Sequence, residues 1–264
     1  MLEQIILGII QGIVEWLPVS SEGVILLVIK NFFDAEAGAE TIIRQALFLH
    51  LGTFFAALVY FRKDVVLLFK ALFKYKSASL KTKKIFNFLL AATLISGFLG
   101  FILLKVFIEL EEQLFLSAKA ITIAVGLLLL VTGWLQIKAK KDGGKKIRGL
   151  SRKDGVFLGL AQGFAALPGL SRSGLTVSVL LLRKFKSESA LKLSFLMSLP
   201  IVLFGNIFLN LNNFAFSSKV AIGLLFAFLF GILTIDLLLK AARKFEFGWF
   251  VLVFGFLVIF SAMV

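Results

Sequence analysis

Residues 7–23 read LGIIQGIVEWLPVSSEG, and residues 158–174 read LGLAQGFAALPGLSRSG. Laid over each other without gaps, they share Leu, Gly, Gln, Gly, Ser and Gly, and each carries one proline near its middle, Pro18 and Pro168. Between them they place a carboxylate, a guanidinium, amides and hydroxyls in strongly apolar surroundings, where lipid is expected. Polar groups inside a bilayer are expensive, so a functional site is their default reading. Two related copies point to a site built between the halves of a duplicated membrane protein.

The composition around these segments decides the class. The chain has 264 residues, 59% of them hydrophobic, and a mean hydropathy of +1.00. A soluble domain of this length carries more charge and clearer helical alternation. A membrane β-barrel shows short alternating strands, whereas the apolar runs here are continuous. The chain reads as an all-α polytopic membrane protein, a single integral domain over 1–264. Six runs are expected to cross, where a crossing takes roughly 20 residues. They lie near 43–61, 86–107, 116–137, 189–211, 219–239 and 248–263. The apolar regions near 3–30 and 155–183 are broken at the middle by proline and polar residues. Each half is too short to span, so both are expected to be re-entrant helix hairpins, tolerated where protein or a wet cavity covers their backbone. The start, MLEQIILGII, lacks the basic region of a secretory signal and is expected to belong to the mature fold.

The net charge of +14 excludes less than it first suggests, because its placement matters more than its size. Lys and Arg cluster in loops at 62–84, 138–153 and 240–244. Membrane topology and anionic head groups account for such clusters, and nucleic acid is not an expected partner. All three loops fall on one side, the cytoplasmic side, if six spans alternate and both hairpins return to the side they entered. The other side then carries 34–40, 109–112 and 210–213. The halves, 1–137 and 154–264, joined by the basic loop 138–153, acquire opposite orientations. That is an inverted-topology repeat, with the hairpin tips meeting near the midplane. Residues 69–75 (FKALFKY) read as an amphipathic surface helix or as a solvated linker. With no Cys there is no disulfide and no thiolate metal site.

The chemistry lies at the two tips. Gln11 and Glu15 are four apart and share a helix face. Glu15, between Val14 and Trp16, is withdrawn from bulk water and needs a metal ion or Arg172 to hold its charge. Its structural alternative is a carboxylate that pairs only to hold the bundle. Ser20, Ser21 and Glu22 follow Pro18 and suit a helix start, which attracts an anion or is simply capped by a serine. The second tip puts Ser171, Arg172, Ser173 and Thr176 at the start of an apolar helix. A guanidinium binds phosphate oxygens two at a time, and at this depth it needs an anionic partner, with Glu15 the structural choice. His50, in FLHLGT, is expected to be a hydrogen-bonded packing residue rather than a catalyst. Asp236 is expected to be paired or snorkelling and carries no assigned chemistry. The residues alone describe an intramembrane anion site with a phosphate-bearing lipid as its natural ligand.

These residues resemble the undecaprenyl-diphosphate phosphatase family, also called the bacitracin-resistance protein family. A Glu or Gln followed four residues later by Glu appears as Gln11 and Glu15, continuing into Leu17, Pro18, Val19, Ser20 and Ser21. The Pro-Gly-x-Ser-Arg-Ser-Gly signature is complete at 168–174, with Thr176 following, and LHLGTFFAALVYFRKD at 49–64 is also similar to the family. The resemblance covers essentially the whole chain. It implies a multi-pass enzyme of the plasma (inner) membrane, with an interdigitated inverted repeat and a site facing outside. The implied reaction removes the terminal phosphate of a C55 polyprenyl diphosphate. It regenerates the monophosphate carrier lipid for cell-wall synthesis and so confers bacitracin resistance.

The resemblance also implies roles. Arg172 grips the diphosphate, with Ser20, Gly169, Ser171, Ser173 and Thr176 assisting. Ser21 is the nucleophile. Glu15 activates it or binds a divalent cation, Mg²⁺ or Ca²⁺, and Gln11 contacts the metal or the head group. One departure stands out: the family's Gly-His step after the serine pair is Gly23-Val24 here. Glu22 is the expected partial compensation, as metal ligand or base; His50, in another segment, is not expected to replace the missing imidazole. A second copy of the chain, forming a homodimer, is the one protein partner considered. The alternative function is a polyprenyl-phosphate transporter or flippase with weak or no phosphatase activity, because broken helices in inverted repeats are a transporter architecture. An inert scaffold leaves the Arg–Ser–Glu set unexplained.

Overall fold

A computed structural model describes residues 1–34, 36–113, 117–139, 143–210, 218–244 and 247–263. The described residues form helices α1 (Leu2–Val14), α2 (Ser21–Val28), α3 (Ala39–Tyr60), α4 (Arg62–Phe73), α5 (Leu80–Gln113) and α6 (Ala118–Lys138). After the basic loop come α7 (Arg152–Phe164), α8 (Arg172–Leu182), α9 (Ser187–Asn210), α10 (Ser218–Lys244) and α11 (Phe247–Ser261). The expected outer stretch at 211–213 and the basic residues Lys140 and Lys141 lie outside the described residues.

Five helices, α3, α5, α6, α9 and α10, are long and apolar enough to cross a membrane. The sixth expected span, 248–263, is the apolar helix α11. Its 15 residues make about 22 Å at 1.5 Å per residue, short of the roughly 30 Å hydrocarbon core. The sequence estimate for α5 began at 86, but the helix starts six residues earlier, because Lys81, Lys83 and Lys84 are compatible with a helix end that projects into water. The 69–75 stretch falls in and just after α4. There Leu72 and Phe73 are exposed and the rings of Phe69 and Phe73 meet edge to face at 5.4 Å. Asp236 is paired, accepting from Lys240 at 2.5 Å and from the Tyr60 hydroxyl at 3.0 Å.

Both broken regions fold as short helix, tip, short helix. α1 and α7 have 13 residues each, and α2 and α8 have eight and eleven. The serine shared by the two sequence copies has one job in both. Ser20 caps α2 by accepting from the Gly23 N–H (3.2 Å), and Ser171 caps α8 by accepting from the Gly174 N–H (3.0 Å). An N-cap serine satisfies one of the donors that a helix start leaves free, so the chain can turn at the tip and resume as a helix.

Small residues let the helices approach closely. α1 lies on α10 through Gly8 and Gly12, where a Cβ on Gly8 would meet the Gly223 carbonyl at 2.3 Å. α7 likewise lies on α5 through Gly155, Gly159 and Gly163. α6 and α11 pack through Gly126, Gly133, Gly248 and Gly255. α3 is wedged between α10 and α9.

A charged clasp ties the basic loop to the second hairpin. Asp154 is fully buried at the start of α7. Its carboxylate accepts from Arg183 Nε, from Lys145 Nζ (2.9 Å), and from the Ser151 N–H (2.8 Å) and hydroxyl (2.7 Å). Replacing Asp154 with Ala leaves two cations facing each other and breaks the helix cap. Breaking a fully buried pair costs ~3–5 kcal/mol, and the two cations are partly solvated, so we expect about 2 kcal/mol or more. The readout is a lower thermal unfolding midpoint in detergent; an unchanged midpoint would show that the clasp is dispensable.

Candidate active site

The tips of the two hairpins are bonded to each other. Ser20 Oγ accepts from the Gly169 N–H (3.0 Å) as well as from Gly23, and Ser173 Oγ donates to the Leu17 carbonyl (3.0 Å). α6 holds both from behind. Gln136 Nε2 donates to the Pro18 carbonyl (2.6 Å), Thr132 Oγ1 donates to the Gly169 carbonyl (3.4 Å), and the Ser171 N–H donates to Thr132 Oγ1 (3.2 Å). Gly169 sits at φ +101°, and a Cβ there would lie 2.7 Å from the Val125 carbonyl oxygen. Only glycine fits both the conformation and the space.

This frame presents a compact set of functional groups. Glu15, the residue that ends α1, is buried. Its Oε1 is paired with Arg172 Nη2, reaching across from the other half of the chain. Its Oε2 accepts from Ser21 Oγ (2.8 Å) and Gln11 Nε2 (3.0 Å), and lies 3.2 Å from His50 Nε2. The guanidinium of Arg172 lies 5.6 Å from the centre of the Phe195 ring, which also packs on Trp16. Trp16 is fixed in turn by donating Nε1–H to the Gly231 carbonyl (3.1 Å). Two buried polar atoms of this set, Arg172 Nη1 and Gln11 Oε1, have no hydrogen-bond partner among the described residues. A guanidinium nitrogen left over after pairing is a donor for an incoming anion.

Glu15, Ser20, Ser21, Glu22, Arg172 and Ser173 line one cavity, together with His50 and the apolar Val19, Ala165 and Leu170. Four other expected residues, Gln11, Gly169, Ser171 and Thr176, are not on its wall. Ser171 and Thr176 are fully buried. Ser171 caps α8, and Thr176 Oγ1 is 2.7 Å from Ser194 Oγ and donates to the Arg172 carbonyl (2.7 Å). Gly169 supplies the N–H that holds Ser20. These residues build the frame that aims Arg172. Gln11 stands behind Glu15, bridging it to Thr53 Oγ1 at 3.4 Å.

His50 is buried and hydrogen-bonded, as expected, and the structure also brings its Nε2 to 3.3 Å from Ser21 Oγ, within the polar set. The signal was present in the sequence: His50 and Thr53, three apart, put two polar groups on one face of an otherwise apolar span, and both meet residues of the first hairpin.

A hydroxyl held on a carboxylate, beside a guanidinium with a free N–H, is equipped for attack on phosphorus and for neutralising the phosphoryl oxygens. The chain's relatives carry a matching description. The family model described as "Bacitracin resistance protein BacA" matches residues 4–260. A protein of Methanococcoides burtonii named undecaprenyl-diphosphatase is 43% identical over 260 residues, covering 97% of this chain and 96% of its own. Proteins of the same name from Methanothrix thermoacetophila and Haloarcula marismortui are 36% and 37% identical. They cover 96% and 95% of this chain, and 94% and 93% of their own.

Proposed function

The chain belongs to the bacitracin resistance protein BacA family, and from that premise we propose that it hydrolyses undecaprenyl diphosphate to the monophosphate and inorganic phosphate. One observation carries this reading. Arg172 of the second hairpin lies on Glu15 of the first, and the Ser21 hydroxyl is 2.8 Å from the same carboxylate.

The residues divide the work as follows. Arg172 binds the terminal phosphate, Nη1 adding a donor that no described residue uses. Ser21 Oγ attacks the terminal phosphorus and its proton passes to Glu15 Oε2. The bond from that phosphorus to the bridging oxygen breaks, and the polyprenyl monophosphate leaves. Water then cleaves the phosphoserine and restores Ser21. Phosphoryl transfer asks mainly for positioning and charge neutralisation, which this set supplies.

The cavity sets two carboxylates, Glu15 and Glu22, against one guanidinium, an unfavourable balance for a diphosphate. The described residues gather no group of three His, Cys, Asp or Glu side chains around a metal position. Hard cations, and Mg²⁺ especially, are held through one or two carboxylates plus phosphate oxygens rather than by a closed protein cage, and this donor set fits that mode. Glu22 and Glu15 would hold Mg²⁺ or Ca²⁺, which supplies charge neutralisation when bound.

We further propose six crossings and two re-entrant hairpins in an inverted repeat. Exchanging the halves maps the helix pairs onto one another. α1 on α10 corresponds to α7 on α5, while α6 with α11 and α3 with α9 correspond to themselves. α11 crosses with local thinning of the bilayer. The three basic loops face the cytoplasm of the inner membrane, and the site opens to the outside.

The test is phosphate release from C55 polyprenyl diphosphate by the detergent-purified protein, with Mg²⁺, with Ca²⁺ and with chelator. We expect release that the chelator abolishes. Folded protein that releases none would overturn the phosphatase reading in favour of lipid transport, which a flipping assay in liposomes would then measure.

A further inference from the structure

The residue after the serine pair's glycine is Val24, which has no hydrogen-bonding side chain. α2, which begins at Ser21, therefore carries no hydrogen-bonding side chain at that position. α3 supplies one. The imidazole of His50 is buried, with Nδ1 2.7 Å from the Ala46 carbonyl oxygen one turn earlier in its own helix. A carbonyl and a carboxylate only accept, so Nδ1, on the Ala46 carbonyl, and Nε2, 3.2 Å from Glu15 Oε2, each carry a hydrogen, and the Ala46 bond fixes the ring plane. The Nε2 edge then points at the first hairpin, 3.3 Å from Ser21 Oγ and 3.2 Å from Glu15 Oε2. With the 2.8 Å contact between Ser21 and Glu15, the three atoms form a closed triangle. One turn further along α3, Thr53 meets Gln11, so the same helix face meets both Gln11 and Glu15 at the end of α1.

A serine side chain has three staggered rotamers, and only an orientation within reach of both Glu15 and His50 closes this triangle. We propose that His50 is a positioning residue for the hydrolysis. Its anchored Nε2 edge holds Ser21 Oγ against Glu15 Oε2, so that the hydroxyl proton faces the carboxylate and the oxygen faces the cavity. The assignment rests on the phosphatase reading above. It adds α3 to the two hairpins and α6 among the elements that build the site.

Two amides separate the two edges of the ring. In His50→Gln the side-chain amide reaches the place of Nε2 and keeps the contact with Ser21. In His50→Asn it reaches only the place of Nδ1, keeping Ala46 and losing Ser21. Because a displacement of about 1 Å at a reacting atom costs ~10²-fold, we expect His50→Asn to lower kcat by about 100-fold with KM within about twofold. His50→Gln should keep kcat within about tenfold of the parent protein, since the brace remains.

The assay is phosphate release per folded protein, read beside the melting midpoint of each variant. An unimpaired Asn variant would return His50 to packing. A Gln variant as damaged as Asn would replace positioning with proton carriage, and a loss confined to KM would replace it with substrate binding. If the Asn variant does not fold, the Gln variant decides alone, by retention or by loss. Parent protein that releases no phosphate would bring down the phosphatase reading and this assignment with it. Active parent protein with an unimpaired Asn variant would bring down this assignment alone.

Discussion

Replacing Arg172 with Ala should lower phosphate release by at least about 10³-fold, because two losses coincide. Removing one preorganised donor to a developing negative charge costs ~10²–10³-fold, and Arg172 is also the cation that balances Glu15. Truncating one partner of a buried pair costs ~3–5 kcal/mol because the other charge is left uncompensated, so the melting midpoint should fall as well. The two losses can be separated. Adding Glu15→Gln to Arg172→Ala removes the stranded charge and should recover the midpoint but not the activity. Arg172→Lys keeps the charge but cannot present two parallel donors or offer the Phe195 ring a planar cation, as the guanidinium 5.6 Å from its centre does. It should remain about 10-fold to 100-fold impaired, by the usual loss of a bidentate contact. A Lys variant at the parent rate would mean that Arg172 acts only as a counter-charge and that another group grips the phosphate.

Legibility in the sequence followed the range of the interactions. The hairpins were readable because their cause is local: a proline and a run of polar residues inside an apolar stretch cannot continue a membrane helix, and a serine after the break restarts one. The pairing of Arg172 with Glu15 was readable for another reason. Each is a charge that the bilayer forces to find a partner, and few candidates exist at that depth. The place of His50 beside Ser21 was only partly legible: His50 and Thr53 share a face of α3, but which way that face turns depends on packing distant in sequence, such as Gly52 against α10. Ser171 and Thr176 had the right chemistry beside Arg172, but only the direction of the α8 helix turns their hydroxyls into the frame and away from the cavity.

The neighbouring serines of the first tip provide the sharpest test of the chemistry, because they share composition and location but not partners. Ser21 Oγ is in contact with Glu15 and His50. Ser20 Oγ is occupied by two backbone N–H groups, from Gly23 and Gly169. If Ser21 is the nucleophile, Ser21→Ala removes the attacking atom and should lower kcat by on the order of 10⁴-fold or more, as deletion of a covalent nucleophile does. The fold should be retained, since the lost hydroxyl leaves Glu15 still bonded to Arg172 and Gln11. Ser20→Ala instead removes a helix cap and the bond that joins the two tips. It should cost about 1–2 kcal/mol of stability and impair hydrolysis far less than Ser21→Ala. Isotope-labelled substrate adds a direct readout, because a phosphoserine trapped by acid quench should appear in the parent and the Ser20→Ala protein and be absent from Ser21→Ala. Retention of more than a few per cent of parent activity by Ser21→Ala would reassign the attack to a water held by Glu15. The serine would then be a hydrogen-bonding brace, and the triangle that it forms with Glu15 and His50 would serve to place that water.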